Sequence, residues 1–403
     1  MKFQFPRTIF TFKWLVIGLI VGTLTGLASA LFLISLNWVT NFRESHTILI
    51  YFLPLAGVAI AAMYHYFGQD VVKGNNQLIE EIEDPKNTIP IKMALFVLLG
   101  TLITHLFGGS AGREGTAVQM GGSIADQLSK LVKFSKANRR ILIATGISGG
   151  FASVFGTPLA GTVFALEVLV IGQLRYEALV PALLSALIAN YVCDLIPMVH
   201  HTHYIIGGVP NFSVITFLVA ILAGVAFGLA SRGFSEGMHF TTHWLNKLPH
   251  PLIKPLIGGS LIVAFFAITH DTRLLGLGVP TIVDAFSKPQ EFWLFAAKIV
   301  LTVVTLSSGF KGGEVTPLFF IGATLGSTLS IFLPLPVGLL AGMGFVAVFA
   351  GAANTPIACI LMGIELFGAQ GGVYLAIAVI IAYLFSGHKG IYTSQKLGVE
   401  KGS

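Results

Sequence analysis

The runs Gly112-Arg113-Glu114-Gly115-Thr116 and Gly312-Gly313-Glu314-Val315-Thr316-Pro317 set two glutamates beside glycine and threonine in an otherwise strongly apolar chain. They lie 200 residues apart (312 − 112). A second pair repeats almost in step: Thr157-Pro158-Leu159-Ala160 closed by Glu167, and Thr355-Pro356-Ile357-Ala358 closed by Glu365, 198 residues apart (355 − 157). The chain therefore has two related halves. Glycine-interrupted segments at corresponding places in two halves of a membrane protein point to an ion site at the repeat interface.

Gly108-Gly109-Ser110-Ala111-Gly112-Arg113-Glu114 runs into the apolar Ala117-Val118-Gln119-Met120, as a glycine-rich loop entering a helix does. Glycine frees backbone N–H groups to face a ligand, and the unpaired amides and dipole of a helix N-terminus attract anions. A carboxylate fixed there can fill the anion site itself. Ionised, Glu114 competes with a mobile anion; protonated, it loses the charge that held it and can swing away. The alternative is that Glu114 simply pairs with Arg113. A rival from another class is an intramembrane enzyme using Glu114 and Glu314 as an acid/base pair, but no zinc motif, nucleophile elbow or phosphate loop accompanies them.

The elements that must position these groups are membrane helices. A hydrophobic fraction of 54%, 10% charged residues and a mean hydropathy of +0.83 do not describe a soluble domain. Candidate spans include Trp14 to Leu36, Ile48 to Tyr64, Met93 to Phe107, Ile141 to Ile171, Phe217 to Leu229, Pro255 to Ile268, Leu294 to Leu306 and Leu335 to Phe367. A simple span takes about 20 apolar residues. Several of these are too short or too long, so tilted, broken and half-spanning helices are expected. The first half is expected at about residues 10–190 and the second at about 212–390, joined by Pro197 to Asn211. The halves should form one transmembrane domain over 1–403 with no appended soluble domain. Most of the 46 glycines read as close helix packing.

The net charge of +6 would suggest nucleic acid in a soluble chain. Here the basic residues sit between apolar stretches, and Lys130, Lys133, Lys136, Arg139 and Arg140 read as a solvated loop near lipid headgroups, so no nucleic-acid partner is expected. Lys2, Arg7 and Lys13 before the first span, with Lys389, Lys396 and Lys401 after the last, favour both termini in the cytoplasm. Trp14 to Leu36 is too long for a signal-peptide core and reads as the first membrane helix. Cys193 and Cys359 read as packing residues, as does His105. His200-His201-Thr202-His203 reads as linker rather than a metal site, and neither metal nor cofactor is expected.

On these residues nearly the whole chain resembles the CLC family of anion channels and anion/proton antiporters. Gly112-Arg113-Glu114-Gly115-Thr116 resembles that family's Gly-Arg-Glu-Gly-Pro motif, which holds the gating glutamate. Gly313-Glu314-Val315-Thr316-Pro317 resembles its second filter segment, Gly390-Ile391-Tyr392 the segment supplying the pore tyrosine, and Gly74-Asn75-Asn76 stands where the first filter segment does. The resemblance implies an all-α polytopic fold of two inverted-topology repeats with broken and re-entrant helices, and a homodimer with one pathway per subunit. It carries gating and proton coupling onto Glu114 and Glu314, and anion contact onto Asn75, Gly112, Arg113, Gly115, Val315, Thr316 and Tyr392.

Departures from the chloride-type pattern are informative. Asn75 stands where serine is usual, Val315 where phenylalanine is, Glu314 where an apolar residue is, and Thr116 where proline is. These changes resemble the fluoride-transporting branch. Chloride antiporters often carry a second glutamate as internal proton acceptor, at the position of Val168 here. The expectation is a fluoride/proton antiporter, not an enzyme, in a bacterial inner membrane, with fluoride, protons and lipid as partners. A chloride/proton antiporter or passive anion channel is the alternative.

Overall fold

The computed structural model describes residues 5–402, with side chains from residue 12; Lys2 and the side chain of Arg7 lie outside the described residues. The first half runs α1 (Phe5–Ser45), α2 (Leu53–Phe67), α3 (Asn75–Glu83), α4 (Lys92–Leu106), α5 (Glu114–Asp126), a short α6 (Leu128–Leu131), α7 (Lys136–Phe155), α8 (Pro158–Glu167) and α9 (Leu179–Asp194). The second runs α10 (Val214–Leu245), α11 (Ile253–Thr269), α12 (Val279–Ala285), α13 (Trp293–Ser307), α14 (Val315–Leu329), α15 (Val337–Ala353), α16 (Pro356–Phe367) and α17 (Gly372–Phe385). Two parallel two-residue strands, β1 (Val170–Ile171) and β2 (Lys396–Leu397), tie the C-terminal segment to the end of α8.

Four helical stretches among the described residues are long and apolar enough to cross a membrane: Phe12–Ser45, Thr47–Phe67, Tyr176–Asp194 and Val214–Leu245. The other apolar helices have 10–17 residues. Backbone at membrane depth that is not helical must be buried in protein, since lipid cannot satisfy it. The apolar runs Ile141 to Ile171 and Leu335 to Phe367, too long for simple spans, break at corresponding places, as the expectation of broken helices required. Gly156 and Asn354 adopt left-handed φ of 75° and 58°, and Pro158 and Pro356 then start α8 and α16.

Packing between helices relies on small residues because lipid is as apolar as leucine. A Cβ at Gly121 of α5 would lie 2.2 Å from the Gly146 carbonyl of α7, and one at Gly322 of α14 would lie 2.0 Å from the Gly344 carbonyl of α15. Both crossings therefore exclude any side chain, and they hold the two motif-bearing helices against the core. Stacked Phe319 and Phe345, with centroids 3.8 Å apart, fill the space behind α14.

Glu167 and Glu365 have a structural task that spans the two halves. Glu167 accepts from Ile357 and Ala358 N–H at 3.0 and 2.9 Å, while Glu365 accepts from Leu159 and Ala160 N–H at 2.8 Å each. Each carboxylate thus caps the proline-initiated helix of the other half. Leaving such amides unsatisfied costs about 1–3 kcal/mol, so Glu365→Ala should lower the thermal unfolding temperature in detergent. An unchanged midpoint would show that water replaces the cap.

The basic stretch 130–140 differs in part from its sequence reading. Arg139 is buried, donating through Nε and Nη2 to Asp126 at 2.8 Å and through Nη1 to Glu81 at 3.0 Å. Arg140 reaches the Glu83 carbonyl at 2.6 Å. Asp126, fully buried at the end of α5, requires that charge partner. Only the lysines keep the solvated character. Cys193 and Cys359 are free and buried.

Candidate functional site: a carboxylate-occupied ion site between the halves

Gly112 and Gly313 exchange both backbone hydrogen bonds across an antiparallel bridge, with N···O distances of 2.6 and 2.8 Å. The two sequence motifs therefore meet directly. From that bridge α5 begins at Glu114 and α14 at Val315, so two helix N-termini with unpaired amides converge on one point.

Glu114 reaches across from its own helix to the first turn of the other. Its side chain is fully buried. Oε2 accepts from the Thr316 N–H at 3.0 Å and the Arg113 N–H at 3.1 Å, and Oε1 accepts from the Thr316 hydroxyl. These are donors an anion would use, and the carboxylate occupies their focus. Arg113 Nε lies 3.5 Å from Oε1. That separation makes an electrostatic contact rather than a hydrogen bond, since the same Nε finds no hydrogen-bond partner. Pairing with Arg113 therefore accompanies occupation of the site and does not explain it away.

Asn75 brings a third helix to the same place. Gly74, at φ 57°, turns the chain into α3. A Cβ on Gly115 would lie 2.9 Å from Asn75 Nδ2, 3.2 Å from Gly313 Cα and 3.6 Å from Glu314 Oε2. Gly115 is thus the floor on which all three segments close. Asn75 Oδ1 and Glu314 Oε2 are buried polar atoms without a hydrogen-bond partner. Unpaired buried polar atoms are costly, and side chains carrying two of them meet at Gly115, next to Glu114 in the chain, where a small polar occupant would fit.

Tyr392 and Val315 are also buried. The Tyr392 phenol lies within electrostatic reach of both Glu114 and Glu314. Its segment is held by the Ile391 N–H donating to the Ala352 carbonyl at 2.8 Å and the Ser394 N–H donating to Asn76 Oδ1 at 3.0 Å. Asn76, neighbour of Asn75, thereby ties the C-terminal segment to the start of α3. All nine residues singled out from sequence lie on these converging segments.

The supports around them were not legible from sequence. Thr302 and Thr305 of α13 hold the glycine loop, by a hydroxyl pair with Ser110 at 2.9 Å and by accepting the Ser110 N–H at 3.1 Å. Fully buried Lys298 donates to the Leu274 and Gly276 carbonyls at 3.0 and 2.8 Å. His105, also fully buried, sets Nε2 3.4 Å from the Gly112 carbonyl, directly behind the bridge. The available signal was a lysine inside an apolar helix. A cavity of about 670 Å³, bordered by Arg43, Arg113, Arg273, Asn37 and Asn41, leads toward the motif. Arg43 is paired with Glu44, and Arg273 with Asp271 and Glu291, so Arg113 is the cation that this cavity brings to the motif. His200 and Thr202 line the same cavity, and His201 between them lies 3.0 Å from Asp194 and within electrostatic reach of Arg113.

Residues 56–387 match the family model described as voltage gated chloride channel. The chain belongs to the CLC family. It is 48% identical to a chloride/fluoride channel protein of Pseudomonas syringae pv. tomato, over 99% of this chain and 91% of that one. The crystal structure of a CLC-type fluoride/proton antiporter superposes with a TM-score of 0.93 at 36% identity, covering 99% of this chain and 100% of the other. A slow cyanobacterial chloride/proton antiporter, at 23% identity and a TM-score of 0.79 over 94% and 96% of the two chains, shares the fold. This chain is accordingly a multi-pass membrane protein of CLC architecture, with two inverted-topology repeats and broken, re-entrant helices. In this CLC chain the Gly112–Gly313 bridge joins the two glutamate motifs.

Proposed function

We infer that this protein exchanges fluoride for protons across the membrane. The observation that carries the reading is the position of the Glu114 carboxylate, seated on the Thr316 amide and hydroxyl where a mobile anion would sit. The relatives named for fluoride support the choice of ion. Glu114 acts as gate and proton carrier. Ionised, it fills the site; protonated, it yields the Thr316 and Arg113 donors to fluoride, so the same donors serve anion and carboxylate in turn. Arg113 supplies charge, Gly112 and Gly115 allow close approach, Asn75, Thr316 and Tyr392 offer hydrogen-bond donors, and Val315 shapes the wall. Glu314 repels an anion when ionised and donates when protonated, which gives it a proton-linked role.

The unit is a transporter rather than an enzyme, a homodimer with one pathway per subunit, in the bacterial inner membrane with both termini cytoplasmic. With that orientation α1 carries Arg43 to the outer face, so the cavity beside Arg113 opens outward. Repeats at about 10–190 and 212–390, joined at about 197–211, make one domain. The test is direct. In proteoliposomes, an imposed pH gradient should drive fluoride against its own gradient, with proton movement in the opposite direction. Fluoride flux that dissipates its gradient and ignores the pH gradient would favour a passive channel instead.

A further inference from the structure

Glu314 has one carboxyl oxygen buried without a hydrogen-bond partner, so its ionised state needs a positive charge that the resting arrangement does not bring to it. Glu114 has Arg113 beside it for that purpose. The corresponding cation for Glu314 is three residues away on the same loop. The stem of Lys311 lies against Gly100 of α4, where a Cβ would come 2.8 Å from its Cγ. Its ammonium sits 4.0 Å above the ring of Tyr64 on α2. Among the described residues it makes no ion pair, yet it lies within electrostatic reach of Glu314.

A lysine held on an aromatic face is stabilised only modestly. A carboxylate in a water-poor site offers more. Gly312 and Gly313 follow Lys311, but the preceding Phe310 is buried and anchors the loop, so the freedom left to Lys311 is that of its own four-carbon stem. The other charged or titratable groups facing this corner are Glu114 from α5 and Tyr392 from the C-terminal segment, and neither can supply a positive charge.

We propose that Lys311 is the counter-charge of Glu314 during exchange, resting on the Tyr64 ring in the arrangement seen here and turning to the carboxylate when that group is ionised. This rests on the proton-linked role of Glu314 proposed above. Lys311 is then a positioning residue: it sets how readily Glu314 gives up its proton, and by pairing with Glu314 it lessens the repulsion of a passing fluoride.

The test is infrared titration of the purified full-length protein in lipid. The protonated-carboxyl band that disappears in Glu314→Gln identifies the group. An opposite charge within about 4–6 Å shifts a carboxyl titration by about 1–3 pH units, so in Lys311→Met the band should persist to a pH at least about one unit higher, a tenfold change in proton affinity. Lys311→Arg should restore the original midpoint. A purely structural lysine would lower thermal stability in Lys311→Met and leave the midpoint where it was, and that result would overturn the proposal. If Glu314→Gln removes no titrating band, the proton-linked role of Glu314 fails, and the counter-charge proposal with it.

Discussion

Proteoliposomes carrying Glu114→Gln should retain no fluoride pumping driven by a pH gradient, while the protein still folds and inserts. The amide keeps almost the size of the carboxylate, but it cannot ionise or carry a proton, so the step that links the two ions is removed rather than slowed. The carboxylate accepts from two backbone amides and one hydroxyl. Glutamine offers a single acceptor oxygen to the same donors and stays near them without charge. Glu114→Ala removes the side chain as well as the titration. It should open the site, and passive fluoride movement should persist in it while coupling is lost. The pair of variants separates the blocking job from the proton-carrying job. Pumping that survives in Glu114→Gln would show that the proton travels by another group.

The paired motifs stood out in the sequence because each repeats in type and spacing, and the structure brings Gly112 and Gly313 together. The helix breaks were less legible. Broken helices were expected from runs too long for one span, but hydropathy averages over Gly156-Thr157-Pro158 and Asn354-Thr355-Pro356, since three residues do little to an apolar window, so the places of the breaks were not read. The apolar helices α9, α14 and α17 fell outside the stretches named as spans, two of them because motif residues interrupt or border the apolar run. Long-range polar partners could not be read at all. Glu167 and Glu365 were visible as a repeat, but that each caps the other's helix follows only from the crossing of α8 and α16. Arg139 looked like a surface charge because its partners Asp126 and Glu81 lie 13 and 58 residues away. Lys298 and Lys311 stood in view as cations near apolar segments, without a pattern to say what they face.

Fluoride should leave loaded liposomes at least about ten times faster than chloride. Its charge is concentrated on a small sphere, so stripping its water is favourable only where strong donors approach closely. The Thr316 amide and hydroxyl already hold two oxygens of a carboxylate, and Asn75 Nδ2 stands 2.9 Å from where a Gly115 Cβ would be, so no side chain spaces the donors apart. Chloride, larger and more easily dehydrated, gains less from such a narrow focus and is crowded by it. Thr316→Val keeps the shape and removes the hydroxyl donor, and a lost hydrogen bond to a charged partner is worth about 1.5–3 kcal/mol. Fluoride efflux should therefore fall by about tenfold or more in Thr316→Val while chloride efflux changes little, narrowing the preference. Electrode recordings of both anions from the same liposomes supply the comparison. Chloride leaving as fast as fluoride from the wild-type protein would overturn the choice of ion, and an equal loss for both anions in Thr316→Val would place that hydroxyl in gating through Glu114 rather than in selecting the ion.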